Sequence, residues 1–144
     1  MTPIKTKQAE INTEIYVSCI AGQIEIMLPI RTVSESNTTE HWFKKATRHT
    51  KQKGIVRCFL EKIKDNVHFP CELVITRYAP RRLDKHDNLP MSLKWIVDAC
   101  CESITGEKVA GRADDSEYIK ISYQQVVNKL YGVKILVKWN AVDT

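Results

Sequence analysis

The stretch that decides the fold is residues 70–105, PCELVITRYAPRRLDKHDNLPMSLKWIVDACCESIT. Its first part is apolar without interruption at 73–75, which is typical of a strand in the centre of a sheet. Further on, apolar residues recur at the spacing of a helix; they are Leu89, Leu93, Ile96, Cys100 and Ile104. Pro90 suits the first turn of a helix, where a missing N–H costs nothing. The stretch therefore predicts a strand, a loop, and a helix that begins near Asp87 or Asn88.

Before this stretch, the sequence predicts a hairpin and a long helix. Residues 14–30 are rich in β-branched side chains and are divided by Gly22, which indicates a hairpin or a bent strand ending at Pro29. A capping box follows, because Asn37 is separated by three positions from Glu40. We expect a helix from about Thr38 to Lys64, weakened or broken near Gly54.

After this stretch, the alternation of polar and apolar residues predicts two further strands, 118–126 and 132–139. The order of elements predicts an α+β fold, with a mixed sheet of about four to five strands and two main helices packed on it. We expect residues 1–12 to be a flexible lead-in and 13–144 to form a single domain, since 144 residues leave little room for a second.

The composition favours a soluble protein with an anionic partner. The net charge is +5 and the pI is about 9.0, which suits nucleic acid first and an acidic membrane surface or acidic protein less well. The five cysteines have no metal-ligand spacing and indicate reduced thiols. The start of the chain lacks the apolar stretch of a signal peptide, and no run is long enough to span a bilayer. These features predict a cytoplasmic protein with no membrane association.

Several aspartates could form a metal site. Asp84 and Asp87 lie in the loop between the predicted central strand and its helix, and Asp114 and Asp115 precede a later strand. If that strand neighbours the central one, the carboxylates could converge, and Mg²⁺ would then offset their repulsion. Lys94 could stabilise negative charge in a transition state. On the other hand, such aspartates are common in turns and at helix starts, and Lys94 with Asp98 is an ordinary surface pair.

The basic residues are a separate signal. No acidic residue interrupts the run from Lys44 to Arg57, and a stripe within it could follow a phosphate backbone. The candidates for DNA binding are Lys44, Lys45, Arg48, Lys51, Arg77, Arg81 and Arg82. A solvated helix face is an equally good interpretation of the helical part, although such faces usually mix charges of both signs.

Taken together, these residues resemble the signature of RusA-like Holliday junction resolvases. The resemblance lies in residues 76–84, TRYAPRRLD, in Asp87-Asn-Leu followed by Lys94 and Asp98, and in Asp114-Asp115 followed by a strand. It covers roughly residues 24–138. The segment around 36–42 and the basic helix are similar to a phage or prophage branch of that family.

The resemblance implies a homodimer that nicks opposed strands of a four-way junction in DNA recombination or repair. Each subunit would bind Mg²⁺, with Mn²⁺ as a substitute. The metal-binding aspartates would be Asp87 and Asp115, with Asp84 as the third, and Asp114 would assist or replace Asp115. Lys94 would lie near the scissile phosphate, and Asn88 and Asp98 would support the site.

One departure from the family keeps two other functions open. Family members separate the first two aspartates by one residue, whereas Lys85 and His86 lie between Asp84 and Asp87 here. The chain could therefore be a branched-DNA-binding protein on the same scaffold, with weakened or lost cleavage. A third hypothesis is a basic protein-interaction module of a phage or prophage, whose aspartates are turn residues.

Overall fold

A computed structural model describes residues 10–32, 42–86, 88–105 and 119–140. The described chain forms strands β1 (Tyr16–Ile20) and β2 (Gln23–Leu28), helix α1 (Trp42–Ile63), strand β3 (Cys71–Ala79), helix α2 (Asn88–Thr105), and strands β4 (Ile119–Val127) and β5 (Gly132–Trp139). A single 3₁₀ turn, Lys64–Asn66, follows α1. One sheet of five strands and two long helices confirm the predicted α+β fold.

The sheet is mixed, with the strand order β1-β2-β5-β3-β4. β3 pairs parallel to β4 and antiparallel to β5, and the other pairings are antiparallel. β3 is therefore an interior strand with a partner on each side, while β5 is the middle strand, and every residue of β3 except Glu72 is buried. The helix α2 provides the crossover that a parallel pair such as β3 and β4 needs.

The predicted hairpin is confirmed. β1 and β2 pair with Ile20 opposite Gln23, and Gly22 in the turn adopts a positive φ of 80°. This conformation strains residues with a Cβ and is easy for glycine. Ile24 and Ile26 have no exposed surface, so β2 turns one apolar face into the core.

The predicted break in the first helix is wrong, because α1 continues through Gly54. Val56 and Leu60, just after the glycine, are fully buried. Burial of two aliphatic side chains contributes about 1.5–3 kcal/mol each, which outweighs the roughly 1 kcal/mol that a glycine costs within a helix. The predicted start of this helix, residues 38–41, lies outside the described residues.

The stripe predicted for the second helix forms the centre of the core. Leu89, Leu93, Ile96, Cys100 and Ile104 are all buried, together with the inward side chains of β2, β3 and β5. The five cysteines are free thiols, as predicted, and Cys71, Cys100 and Cys101 are buried among these apolar residues. Burial raises the pKa of Cys71 to about 11. Within the described ranges, neither helix has the length and apolar character needed to cross a membrane.

One carboxylate ties the two helices together. Glu102 of α2 accepts hydrogen bonds from Arg57 Nη2 at 2.6 Å and from Lys53 Nζ at 3.4 Å, both on α1. Burial alone would raise the pKa of Glu102, but the two cations outweigh burial and lower this pKa below its ordinary value of 4.5. The helices are therefore joined by an ion pair that depends on an ionised Glu102.

Replacing Glu102 with Gln should make the protein less stable near neutral pH, by up to about 1 kcal/mol. A lowered folded-state pKa contributes stability above the ordinary pKa, and this contribution is lost as the pH falls through the lowered value. The difference in melting temperature between wild type and Glu102→Gln should therefore shrink on acidification below about pH 4.5. Thermal unfolding followed by circular dichroism over this pH range measures it, and a difference that grows toward acid would contradict the assignment.

Candidate nucleic-acid interface and acidic loop

Strands β2, β3 and β4 end on the same side of the sheet, where β5 begins. Gly132 of β5 pairs with Tyr78 of β3, and Val133 of β5 pairs with Leu28 of β2. β4 ends there too, because it runs parallel to β3. We call this the C-terminal edge; it comprises residues 29–32, 80–86 and 128–131. The sequence-predicted residues Arg81, Arg82 and Asp84 lie at this edge, and α2 begins beside it.

The acidic loop is held against β4 by one side chain. Gln125 accepts a hydrogen bond from the backbone N–H of Leu83 at 2.9 Å and donates from Nε2 to the Leu83 carbonyl at 2.7 Å. Gln125 is paired with Arg77 in the sheet, two residues before β3 ends. The loop therefore folds back along β4, and Asp84, the next residue, is fixed by its attachment to Leu83.

Asp84 holds the beginning of α2. Its Oδ2 accepts a hydrogen bond from the backbone N–H of Asn88 at 3.2 Å, and its Oδ1 accepts one from the Asn88 side-chain amide. The Asp84 carbonyl also accepts from the N–H of Leu89 at 2.9 Å. A carboxylate at a helix N-terminus is stabilising by about 0.3–1 kcal/mol. Asp84 therefore has a structural role at the start of α2, and the residue remains exposed.

The other predicted metal ligands, Asp87, Asp114 and Asp115, lie outside the described residues. Within the described ranges, no three His, Cys, Asp or Glu side chains are grouped so that they could hold a metal ion. β4 is the neighbour of β3, as convergence of the aspartates requires. It runs parallel, however, so Ile119 pairs with Cys71 at the edge opposite Asp84.

Lys94 is exposed on α2, and its Nζ lies 5.2 Å from the ring centroid of Trp95. His49 of α1 also contacts Trp95, stacking on it with the ring centroids 4.0 Å apart. Lys94 comes six residues after Asn88, or about 9 Å along the helix axis. Asp98 is half-buried and four residues further on. Lys94 therefore lies close to the contact between α1 and α2, and Asp98 lies about one helical turn further toward the C-terminus of α2.

Arg77 differs from the prediction that grouped it with exposed DNA-binding residues. It is 6% exposed, and its Nε donates to Thr32 Oγ1 at 2.8 Å while Nη1 donates to the Arg81 carbonyl at 2.7 Å. Burial lowers the pKa of Arg77, but an arginine stays protonated. Its side chain ties the segment after β2 to the segment after β3. Arg77 is buried because it lies in an interior strand, between β4 and β5.

The basic run of α1 has two different sides. Lys53 and Arg57 face α2 and bind Glu102. The candidates for DNA binding are on another side, where Lys44 and Lys51 are exposed and Lys45 and Arg48 are half-buried; three of them, Lys44, Arg48 and Lys51, line one groove. The predicted basic stripe of Lys44, Arg48 and Lys51 therefore lines one surface groove. Lys53 and Arg57 instead join α1 to α2.

No family model matches the chain, and no curated protein sequence matches it. The resemblance to RusA-like resolvases therefore rests on the residues quoted above, from Thr76 to Asp98 and at Asp114-Asp115.

Sequence reasoning missed three residues of the groove and of the acidic loop's support. Arg31 lies with its guanidinium carbon 4.9 Å from the ring centroid of Tyr131, and it lines the same groove as the basic stripe. Phe43 lines that groove as well and is 63% exposed. Gln125 holds the acidic loop. Phe43 precedes the basic run directly, which is a usable signal, whereas the contacts of Arg31 and Gln125 join residues about a hundred and about forty positions apart.

Proposed function

We propose that this protein is a Mg²⁺-dependent endonuclease that resolves four-way DNA junctions, acting as a homodimer in the cytoplasm. The observation that carries the proposal is the combination of charges at the C-terminal edge. Exposed Arg81 and Arg82 lie three and two positions before Asp84, which is also exposed. A basic groove that includes Arg31 lies between the end of β2 and α1. Cations around an acidic loop suit a protein that binds a phosphate backbone and cleaves it.

The cations supply affinity for DNA. Lysine and arginine side chains that neutralise phosphates release the counterions condensed on DNA, which drives binding at low salt. Arg81 and Arg82 are exposed, and Arg77 holds the backbone of the segment they belong to through the Arg81 carbonyl. Because that segment is tied down at both Arg81 and Leu83, the two guanidinium groups start from a fixed backbone. A fixed start reduces the entropy that is lost on binding.

The aspartates supply the ligands for the metal. Mg²⁺ prefers carboxylate oxygens and keeps several waters, which fits Asp84 and Asp87 with Asp115, or Asp114 in its place. Asp84 is exposed at the start of α2, where it accepts two hydrogen bonds from Asn88. When bound, Mg²⁺ would activate water and offset charge on the leaving oxygen. Lys94 would hold the negative charge of the phosphate beside the site.

The hydrogen bonds between Gln125 and Leu83 affect the distance between Asp84 and Asp115. Ala79 lies eight positions from Cys71, or about 26 Å along β3, and Ile119 pairs with Cys71. Gln125, which holds Leu83, is only six positions from Ile119, or about 20 Å. Asp115 is four positions before Ile119, and four positions of chain can span at most about 14 Å. The folded-back loop therefore shortens the gap that the carboxylates would have to close.

A second candidate function is a branched-DNA-binding protein without cleavage. The contacts of Asp84 favour it, because both carboxylate oxygens already accept hydrogen bonds from Asn88. Lys85 and His86, which separate Asp84 from Asp87, also give this loop a different length from that of the family it resembles. A structural Asp84 would leave fewer ligands for the metal and would keep the basic surface intact.

Cleavage of a synthetic four-way junction distinguishes these functions. Each strand is end-labelled in turn, and the protein is incubated with the junction in Mg²⁺, in Mn²⁺ and in EDTA; binding is measured separately in Ca²⁺. The proposal predicts paired nicks at symmetric positions on opposed strands, in Mg²⁺ and Mn²⁺ only. Junction binding with no nick in either metal would favour the second candidate. Absence of junction binding at low salt would contradict both and favour a protein-interaction module.

A further inference from the structure

A groove between the end of β2 and the first half of α1 combines positive charge with an exposed aromatic ring. It has a volume of about 490 Å³, within the range of roughly 300–1,000 Å³ that is usual for ligand clefts. Pro29 and Ile30 form one side, and Phe43, Thr47 and Ile55 belong to the other. We propose that this groove holds an unpaired stretch of DNA, with Phe43 stacking on a base and the surrounding cations binding its phosphates.

The charges of the groove suit a phosphate backbone. Arg31, Lys44, Arg48 and Lys51 line it, and no carboxylate is among the described residues around it. On the opposite side of the same helix, Lys53 and Arg57 bind Glu102. The four cations gathered around the groove give it a positive charge that suits an external anion.

One of these cations sits on a rigid support. Arg31 lies over the ring of Tyr131, and the next residue, Thr32, is buried and accepts a hydrogen bond from Arg77. Ile30, on the other side of Arg31, is also buried. The backbone of Arg31 is therefore held in place, so binding a phosphate costs little ordering of the chain.

The aromatic ring points to an unpaired strand. Phe43 is 63% exposed and lines the groove beside Lys44. Stacking of a base on an aromatic ring requires an accessible base face, and a base inside a duplex has both faces covered. Phosphate contacts alone do not distinguish duplex from single strand. The inference rests on the proposed function, because branched DNA has unpaired nucleotides near its branch. These unpaired nucleotides are what the groove would bind.

Binding of short labelled oligonucleotides in EDTA tests the inference without any cleavage. Three probes of equal length are compared by fluorescence anisotropy: oligothymidylate, the same backbone without bases, and a blunt duplex. Phe43→Ala should weaken binding of oligothymidylate about ten-fold, the usual effect of one lost stacking contact, and leave the other two probes unchanged. Arg31→Gln should weaken all three. Phe69→Ala, an exposed phenylalanine just before β3, is the control and should change none.

An equal loss of affinity for all three probes in Phe43→Ala, or no loss, would overturn the inference. Tighter, Phe43-dependent binding of an RNA oligomer would overturn the assignment to DNA. Melting temperatures verify that each variant is folded, which the exposure of Phe43 leads us to expect. Because EDTA removes the metal, a protein that fails to nick junctions can still pass this test, and a junction resolvase can still fail it.

Discussion

Replacing Asp87 with Asn is expected to abolish nicking of a four-way junction, lowering the rate by more than about a hundred-fold. Loss of a residue that only orients a metal ligand already costs about 10–100-fold, and loss of the ligand itself should cost more. Binding of the junction in Ca²⁺ should persist, because the substitution removes a negative charge that would face phosphate. The rate is measured by single-turnover cleavage of the labelled junction, and the affinity by gel mobility shift.

The control for this variant is Asp65→Asn. Asp65 is exposed in the 3₁₀ turn after α1, outside the C-terminal edge. Its replacement by Asn removes one negative charge, as Asp87→Asn does. It should nick the junction like the wild type. If Asp87→Asn retained its rate within a few-fold, Asp87 would not be a metal ligand and the proposed site would be wrong.

Two variants of Asp84 separate its structural role from a metal-binding one. Asn in place of Asp84 keeps an oxygen that can accept the hydrogen bond of Asn88, and asparagine is as good as aspartate at a helix N-terminus. Ala removes that acceptor and should lower the free energy of unfolding by about 1 kcal/mol. If Asp84 also binds metal, both variants lose nicking although only Ala is destabilised. If it only holds α2, Asn retains both stability and activity.

The repeating patterns of the sequence predicted most of the fold. The alternation in β2, the apolar run of β3 and the stripe from Leu89 to Ile104 each reflect a face that must be buried, and such faces are visible in the order of residues. The break predicted at Gly54 was wrong because the packing of Val56 and Leu60 is a tertiary effect that local propensity does not include.

The candidate site was less predictable because its arrangement depends on long-range contacts. The direction of β4 relative to β3 decides which loops share an edge, and the sequence predicted both strands without their direction. The clamp by Gln125 and the burial of Arg77 are likewise contacts between distant segments. The charge of each side chain is visible in the sequence. That Lys53 and Arg57 bind a carboxylate of the protein itself depends on the position of Glu102 in the fold.

The second large effect that we expect concerns the salt dependence of DNA binding. A variant with Lys44, Arg48 and Lys51 all replaced by Gln should bind junction DNA more weakly and with a flatter dependence on salt. Each lost phosphate contact lowers the slope of log affinity against log salt by about 0.9, so three lost contacts lower it by about 2.7. By the same relation, the affinity at about 0.1 M salt should fall roughly a few hundred-fold.

A second triple variant with the same loss of charge tests whether position or net charge matters. Lys62, Lys64 and Lys120 do not line the groove, and all three can be replaced by Gln. At physiological salt the Debye length is about 8 Å, so distant charges are screened and this variant should keep nearly the wild-type slope. Equal slopes for the two triple variants would mean that DNA is attracted by net charge alone. The groove of α1 would then lose its role as the surface that follows the phosphate backbone.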